Sequence, residues 1–128
     1  MRTITVTSRA AQEVIDLTAD VDALAASMAD GVCHLFTHHT TCALTILTNE
    51  AGIAEDFLTV LRGLVPQAAA YVHDKADHVR AHVLSALVGP SVSVPVRGGR
   101  LDLGEFQRVV LVELEGPRTR TITVDGTR

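Results

Sequence analysis

Apolar and polar positions alternate with a period of two at both ends of this chain and with a helical period in between. Residues 2–8 (RTITVTS) set Ile4 and Val6 on one side and threonines on the other, which predicts a strand. Glu13–Leu17 fits a second short strand or a helical turn. Thr18 is a suitable N-cap, with Asp20 and Asp22 behind it and Val21, Leu24, Ala25 and Met28 at helical spacing. A helix is therefore expected to run to Met28, closed by Asp30-Gly31. Val32–Leu47, rich in β-branched and apolar residues, predicts strand, turn and strand, or one long bent strand.

Asn49–Leu64 opens on a capping residue and gathers Ile53, Phe57, Val60, Leu61 and Leu64 on one side, predicting a helix that Pro66 ends. A further helix over Asp74–Val88 would bury Val79, Val83, Leu84, Leu87 and Val88 and stop at Gly89-Pro90. Beyond it the period returns to two. Ser91–Val96 alternates, with Pro95 pointing to an edge strand or a bulge. Gly98-Gly99 signals a hairpin into Arg100–Leu103. Gln107–Leu114 is apolar on both faces and hence central, and Arg118–Asp125 alternates again after Gly116-Pro117. Seven or so short strands with two or three flanking helices predict one α+β domain over residues 1–128, mainly an antiparallel β-sandwich.

Composition narrows the function classes. The 128 residues are 47% hydrophobic and 20% charged, with no Trp, so an aliphatic core of ordinary size is expected. A net charge of −4 argues against non-specific binding of nucleic acid or anionic membrane. No apolar run approaches the ~20 residues of a membrane span. A cytoplasmic location is expected, with Cys33 and Cys42 as reduced thiols. Residues 8–62 carry Arg9 and Arg62 against eight carboxylates, whereas Arg97, Arg100, Arg108, Arg118, Arg120 and Arg128 crowd the C-terminal end. A phosphorylated small molecule would be gripped there.

Candidate chemistry gathers in residues 73–82 (HDKADHVRAH). On a helix Asp74, His78 and His82 would form one stripe, flanked by His73 and Asp77. His-x-x-x-His spacing lets two imidazoles converge on one metal ion or act as an acid–base pair. The competing reading is two partly exposed histidines bordering a buried face. All six histidines fall between His34 and His82. His38 and His39, adjacent in an extended stretch, point to opposite faces. His34 and His38 read as structural, whereas His39, beside the hydroxyls of Thr40 and Thr41, is the second candidate. Glu50 is either a dipole-complementing carboxylate or a ligand or base near His39. Arg118 and Arg120, two apart in a strand, would share a face and form a fork for phosphate, or else pair with Glu113 or Glu115.

Three separated motifs then match a known family. They are His39-Thr40-Thr41-Cys42-Ala43-Leu44-Thr45-Ile46 with Asn49-Glu50, the run from His82 to Ser91, and Gly99 to Gln107 followed by Glu113 to Arg120. From Ile4 to Gly126 the chain resembles the YjbQ family of secondary thiamine-phosphate synthase enzymes. The resemblance implies a compact, jelly-roll-like β-sandwich assembled as a homotrimer, with pockets at or near subunit boundaries. It implies a weak transferase activity that joins a hydroxymethylpyrimidine pyrophosphate to a thiazole phosphate and releases pyrophosphate. It supports His39, Thr40, Glu50, His82, Gln107 and Arg118 as pocket residues. His78 stands where many relatives have Asn, and Glu105-Phe106 replaces a common Thr-Trp. The resulting expectation has His39, His82 and Glu50 as catalytic groups, and Thr40, Thr41, Gln107, Arg118 and Arg120 holding substrate or phosphate. A divalent zinc or magnesium ion is expected on His39, His78 and His82. The rival is a non-catalytic metal- or metabolite-binding homotrimer whose histidines hold an ion.

Overall fold

The computed structural model describes residues 1–73 and 75–127, so Asp74 of the helical stripe and Arg128 of the basic end lie outside the described residues. In chain order the elements are β1 (Arg2–Thr7), β2 (Glu13–Asp16), α1 (Thr18–Ala25), β3 (Gly31–Thr37) and β4 (Cys42–Thr48). There follow α2 (Ile53–Leu64), α3 (Ala76–Val88), β5 (Ser91–Arg97), β6 (Arg100–Leu101), β7 (Gln107–Glu113) and β8 (Thr119–Thr127). The fold is thus mixed α+β with antiparallel strand pairing throughout the described ladders.

Two sheets divide the strands. One has the order β1-β8-β3-β5-β6 and the other β2-β7-β4. Ile4, Leu35, Val94, Ile122 and Val124 from the first sheet meet Cys42, Leu44, Val109 and Leu111 from the second in one buried cluster, closed by Leu17, Val21 and Ala25 of the α1 region. On the other face of the smaller sheet, Ala43, Val110 and Val112 pack with Leu61 of α2 and Ala81 and Leu84 of α3. β7 is therefore buried on both faces, as its unbroken VVLV run requires, and it lies between β2 and β4.

Several boundaries differ from the sequence pattern, each for a local reason. The segment 32–47 is strand, turn and strand, but β3 and β4 enter different sheets, so the turn between them crosses the molecule's layers. Thr18 lies inside α1, whose N-cap is Leu17, and Asp16 Oδ1 accepts from Thr18 N at 2.9 Å. The Thr18 hydroxyl instead accepts from Val109 N at 2.8 Å, tying α1 to β7. α1 stops at Ala25, and α2 starts at Ile53 because Asn49 N donates to Phe106 O and Gly52 turns the chain at φ +83°. Pro95 pairs with Val32 on one side; on the other lies the two-residue strand β6, which needs no N–H from it. Among the described residues no helix is long and apolar enough to cross a membrane.

Candidate functional site

The end of β3, the link to β4 and the middle of α3 are fastened together by short hydrogen bonds. Thr37 N donates to Pro90 O at 2.9 Å and Leu44 N to Gly89 O at 3.0 Å, so the exit of α3 is tied to both strands. Ser85 Oγ donates to Cys42 O at 2.6 Å, drawing the buried side of α3 onto the start of β4. His39 N donates to Thr37 Oγ1 at 3.2 Å, which bends the link back over the strand end. A cleft of about 470 Å³ opens at this junction, lined by Phe36, His38, His39, Thr40, His82 and Ser85 among others. Here the structure brings together three of the residues expected to form a site: His39, Thr40 and His82.

His39 is half-buried. Burial first, and then the Arg120 guanidinium, hold its imidazole below the ordinary histidine value, so the ring is neutral at pH 7. Its Nε2 accepts from Thr121 N at 3.1 Å, which leaves the ring proton on Nδ1. His82 is reached differently. Its Nε2 lies 2.9 Å from His78 Nε2, and His78 Nδ1 lies 2.6 Å from Glu115 Oε2. Helical spacing of four brings the two rings edge to face, with centroids 4.3 Å apart.

His78 also opens onto a second cavity of about 710 Å³, lined by Gln67, His73, Lys75, Asp77, Glu115 and Arg118. Arg118 turns back on Glu115, donating from Nη2 to Oε1 and from Nε to the backbone oxygen, both at 2.8 Å. Arg120 points inward instead. The expected shared face is lost because Arg118 precedes β8, whereas Arg120 is only 2% exposed and lies against Glu113. Burial alone would raise the Glu113 carboxyl; hydrogen bonds from Arg120, Ser8 Oγ and Glu115 N outweigh it and hold it below the carboxylate range. Arg120 Nη2 donates to Thr41 Oγ1 at 2.9 Å and to Thr41 O at 3.1 Å, so Thr41 is buried support beneath the His39 link.

Glu50 and Gln107 are elsewhere. The expected approach of Glu50 to His39 does not occur within one chain, because β4 runs extended from Cys42 to Thr48 between them, about 20 Å at ~3.3 Å per residue. Glu50 borders a small cavity with Asp16 and Arg108. Gln107 faces Thr48 across the sheet, and its Oε1 accepts from Gly104 N at 2.8 Å.

Nor do His39, His78 and His82 fit a shared divalent ion. The Nε2 of His39 is committed to Thr121, and the other two Nε2 atoms face each other across a hydrogen bond. Among the described residues no three His, Cys, Asp or Glu side chains are placed to hold a metal. What the arrangement can do is accept and donate protons beside an apolar-walled cleft.

Pairing of Arg118 and Arg120 with Glu113 or Glu115, the alternative the sequence offered, is what the structure shows. Sequence reasoning missed Lys75, the contact of Glu115 with His78, and Ser8 and Thr41 as partners of the buried pair. Glu113 had a signal, since a carboxylate inside a strand apolar on both faces must be buried and paired. The contact of Glu115 with His78 had none, as the two are 37 residues apart in the chain.

Comparison with known proteins agrees with this architecture. The family described as UPF0047 protein YjbQ-like matches residues 2–128. A UPF0047 protein of Archaeoglobus fulgidus is 43% identical over 113 residues, covering 88% of this chain and 89% of its own. The crystal structure of an uncharacterised YjbQ/UPF0047 protein from Clostridium acetobutylicum superposes with a TM-score of 0.91 at 26% identity, covering 99% of this chain and all of that one. A hypothetical protein from Aeropyrum pernix superposes with a TM-score of 0.88 at 30% identity, covering 98% and 96%.

Proposed function

From the premise that this chain belongs to the YjbQ-like UPF0047 family, we propose that it is a small-molecule enzyme with a weak, secondary thiamine-phosphate synthase activity. The site is the cleft of His39, Thr40 and His82. The observation that carries the reading is the contact of His82 with His78 at 2.9 Å, backed by Glu115, at the wall of a cleft large enough for a heteroaromatic ring. Among the described residues His82 Nδ1 has no hydrogen-bond partner, so that nitrogen is available to a ligand.

In the condensation, the bond from the pyrimidine methylene carbon to pyrophosphate oxygen breaks, and the thiazole nitrogen takes that carbon. Pyrophosphate leaves with the electron pair, so negative charge builds on its oxygens and needs positive charge nearby. Arg118, 54% exposed, lines the second cavity with Lys75, and the two would supply that positive charge to phosphate oxygens. His39 is neutral with an Nδ1–H, suiting it to donate a hydrogen bond to a ring nitrogen or hydroxyl. Arg120 holds Thr41 and, second to burial, disfavours the His39 cation.

The finer jelly-roll description and the homotrimer belong to the same proposal. Phe36, 41% exposed at the cleft, and the distance of Glu50 and Gln107 from His39 both support a site completed at a subunit boundary. Two free buried thiols, Cys33 and Cys42, are in keeping with a cytoplasmic setting.

The test is formation of thiamine phosphate from the two phosphorylated precursors by the purified protein and by His82→Ala. The variant is expected to melt with the parent and to lose turnover. Unchanged turnover in a folded His82→Ala protein would sink the assignment.

A further inference from the structure

We infer that Glu115 is a positioning residue that fixes the ring protons of His78 and His82, so that the two histidines act as one proton-carrying pair running from the His39 cleft to the cavity around Lys75. The inference follows from counting protons on the ring nitrogens. An ionised carboxylate accepts hydrogen bonds and cannot donate them. His78 Nδ1, 2.6 Å from Glu115 Oε2, therefore carries hydrogen. Two Nε2 atoms 2.9 Å apart have room for one hydrogen between them. With His78 neutral and its proton on Nδ1, its Nε2 is bare, and the shared proton sits on His82 Nε2. The base left over is His82 Nδ1.

A proton arriving from a ligand forms an N–H bond at His82 Nδ1 and makes that ring a cation. Transfer of the shared proton breaks the N–H bond at His82 Nε2 and forms one at His78 Nε2. His82 is neutral again, and the single positive charge rests on His78 against Glu115. One proton has entered and none has left. Arg118 contributes by holding Glu115 Oε1 and the Glu115 backbone oxygen, which turns Oε2 toward His78.

The surrounding charges allow this displacement. Among the described residues Glu115 is the anion in hydrogen-bond contact with the pair. Asp77 and Lys75 line the same cavity, Asp77 pairs with Arg80 at 3.6 Å, and the His73 ring lies 5.2 Å from that of His78. Across the cleft stand His38 and His39, the latter kept neutral by burial and Arg120. Charge placed on His82 would face the apolar cleft, whereas on His78 it faces a carboxylate.

The proton pairing is a property of the side chains alone; its use in turnover rests on the functional reading above. Ring nitrogen chemical shifts of protein labelled with 15N-histidine test it without any substrate. The wild type at neutral pH is expected to show His78 with hydrogen on Nδ1 and His82 with hydrogen on Nε2. Glu115→Ala should release His78 to the Nε2–H form, while Glu115→Gln, whose amide oxygen still accepts from Nδ1, should restore the wild-type pattern. His78 with hydrogen on Nε2 in the wild type overturns the inference. Unchanged tautomers in a folded Glu115→Ala protein do the same. Should Glu115→Ala not fold, the wild-type and Glu115→Gln spectra decide alone. Loss of the pairing with turnover intact would refute this inference only; the pairing without turnover would refute only the enzymatic reading.

Discussion

Arg120 donates to both carboxylate oxygens of Glu113, from Nε to Oε1 at 2.9 Å and from Nη2 to Oε2 at 2.5 Å, and so joins the end of β7 in one sheet to β8 in the other. Both side chains are almost wholly excluded from solvent, at 3% and 0% exposure. Every oxygen lone pair on the inner side is used, since Ser8 Oγ, Leu114 N and Glu115 N also donate to Glu113. Breaking one partner of such a pair strands a buried charge, which costs about 3–5 kcal/mol. Glu113→Gln is expected to lose stability on that scale by urea denaturation. The joint replacement Glu113→Leu with Arg120→Met should lose less than Glu113→Gln, because no charge is left behind. A Glu113→Gln protein as stable as the parent would show that the pair contributes nothing.

Acid should weaken the fold in two stages. A group held below its ordinary value in the folded protein contributes stability above that ordinary value and loses it as pH falls through the folded one. His39 is such a group, its cation disfavoured by burial and Arg120, so the first loss begins below its ordinary value of 6.5. Glu113 and Asp16 are held down by hydrogen bonds that outweigh burial, and their contribution disappears later, below the ordinary carboxylate range. Urea midpoints from pH 8 to pH 3 should fall in that order. His39→Gln should flatten the first limb and leave the second; if both limbs persist unchanged, His39 is not the group responsible.

The β framework was legible in the sequence because its signals are local. Alternation located β1 and β8, and the unbroken VVLV run identified β7 as central before any contact was known. The end of the helix expected over 74–88 was similarly plain at Gly89-Pro90, but its buried face was not: Leu84 is buried with Ala81 and Ser85, whereas Val83 and Leu87 are exposed. What could not be read was the partition of strands between sheets. β3 and β4 are neighbours in sequence yet enter different sheets, and no period distinguishes a hairpin from a crossing. The same limit applies to the site. His78 and His82 share a helix face that spacing alone predicts, but Arg118 and Arg120, also well spaced, diverge because the strand begins between them. Glu50 was placed near His39 by sequence proximity, and the extended path of β4 carries it away.

Gly116 sits where three segments meet. Its N–H donates to Ala11 O at 2.9 Å, and a Cβ there would run into the Ala10 carbonyl oxygen and approach Ser8 Oγ to 2.7 Å and Glu113 Cγ to 2.9 Å. Backbone on one side and a buried ion-pair residue on the other leave little room to yield. Gly116→Ala is expected to cost about 1–3 kcal/mol as an overpacking change. Gly104→Ala is the control, since its Cβ would meet only the end of the exposed Gln107 side chain at 3.2 Å. Equal melting temperatures for the two variants would contradict this account of the turn.

Glu50 offers the sharpest test of how the proposed site is completed. It lies beyond Thr48, about 20 Å along β4 from the His39 link, too far for its carboxylate to act on a ligand held by His39 and His82 of the same chain. If Glu50 takes part, it does so from a neighbouring copy in a closed ring, where one surface of each subunit meets a different surface of the next. Glu50→Gln and His82→Ala should then each abolish turnover alone. Refolded together in equal amounts, they should recover about a quarter of the wild-type rate, because a random ring pairs an intact His82 with an intact Glu50 at that frequency. Sites confined to one chain predict no recovery at all. Full activity in Glu50→Gln alone would remove Glu50 from the site, and sedimentation of the parent protein as a monomer would remove the boundary.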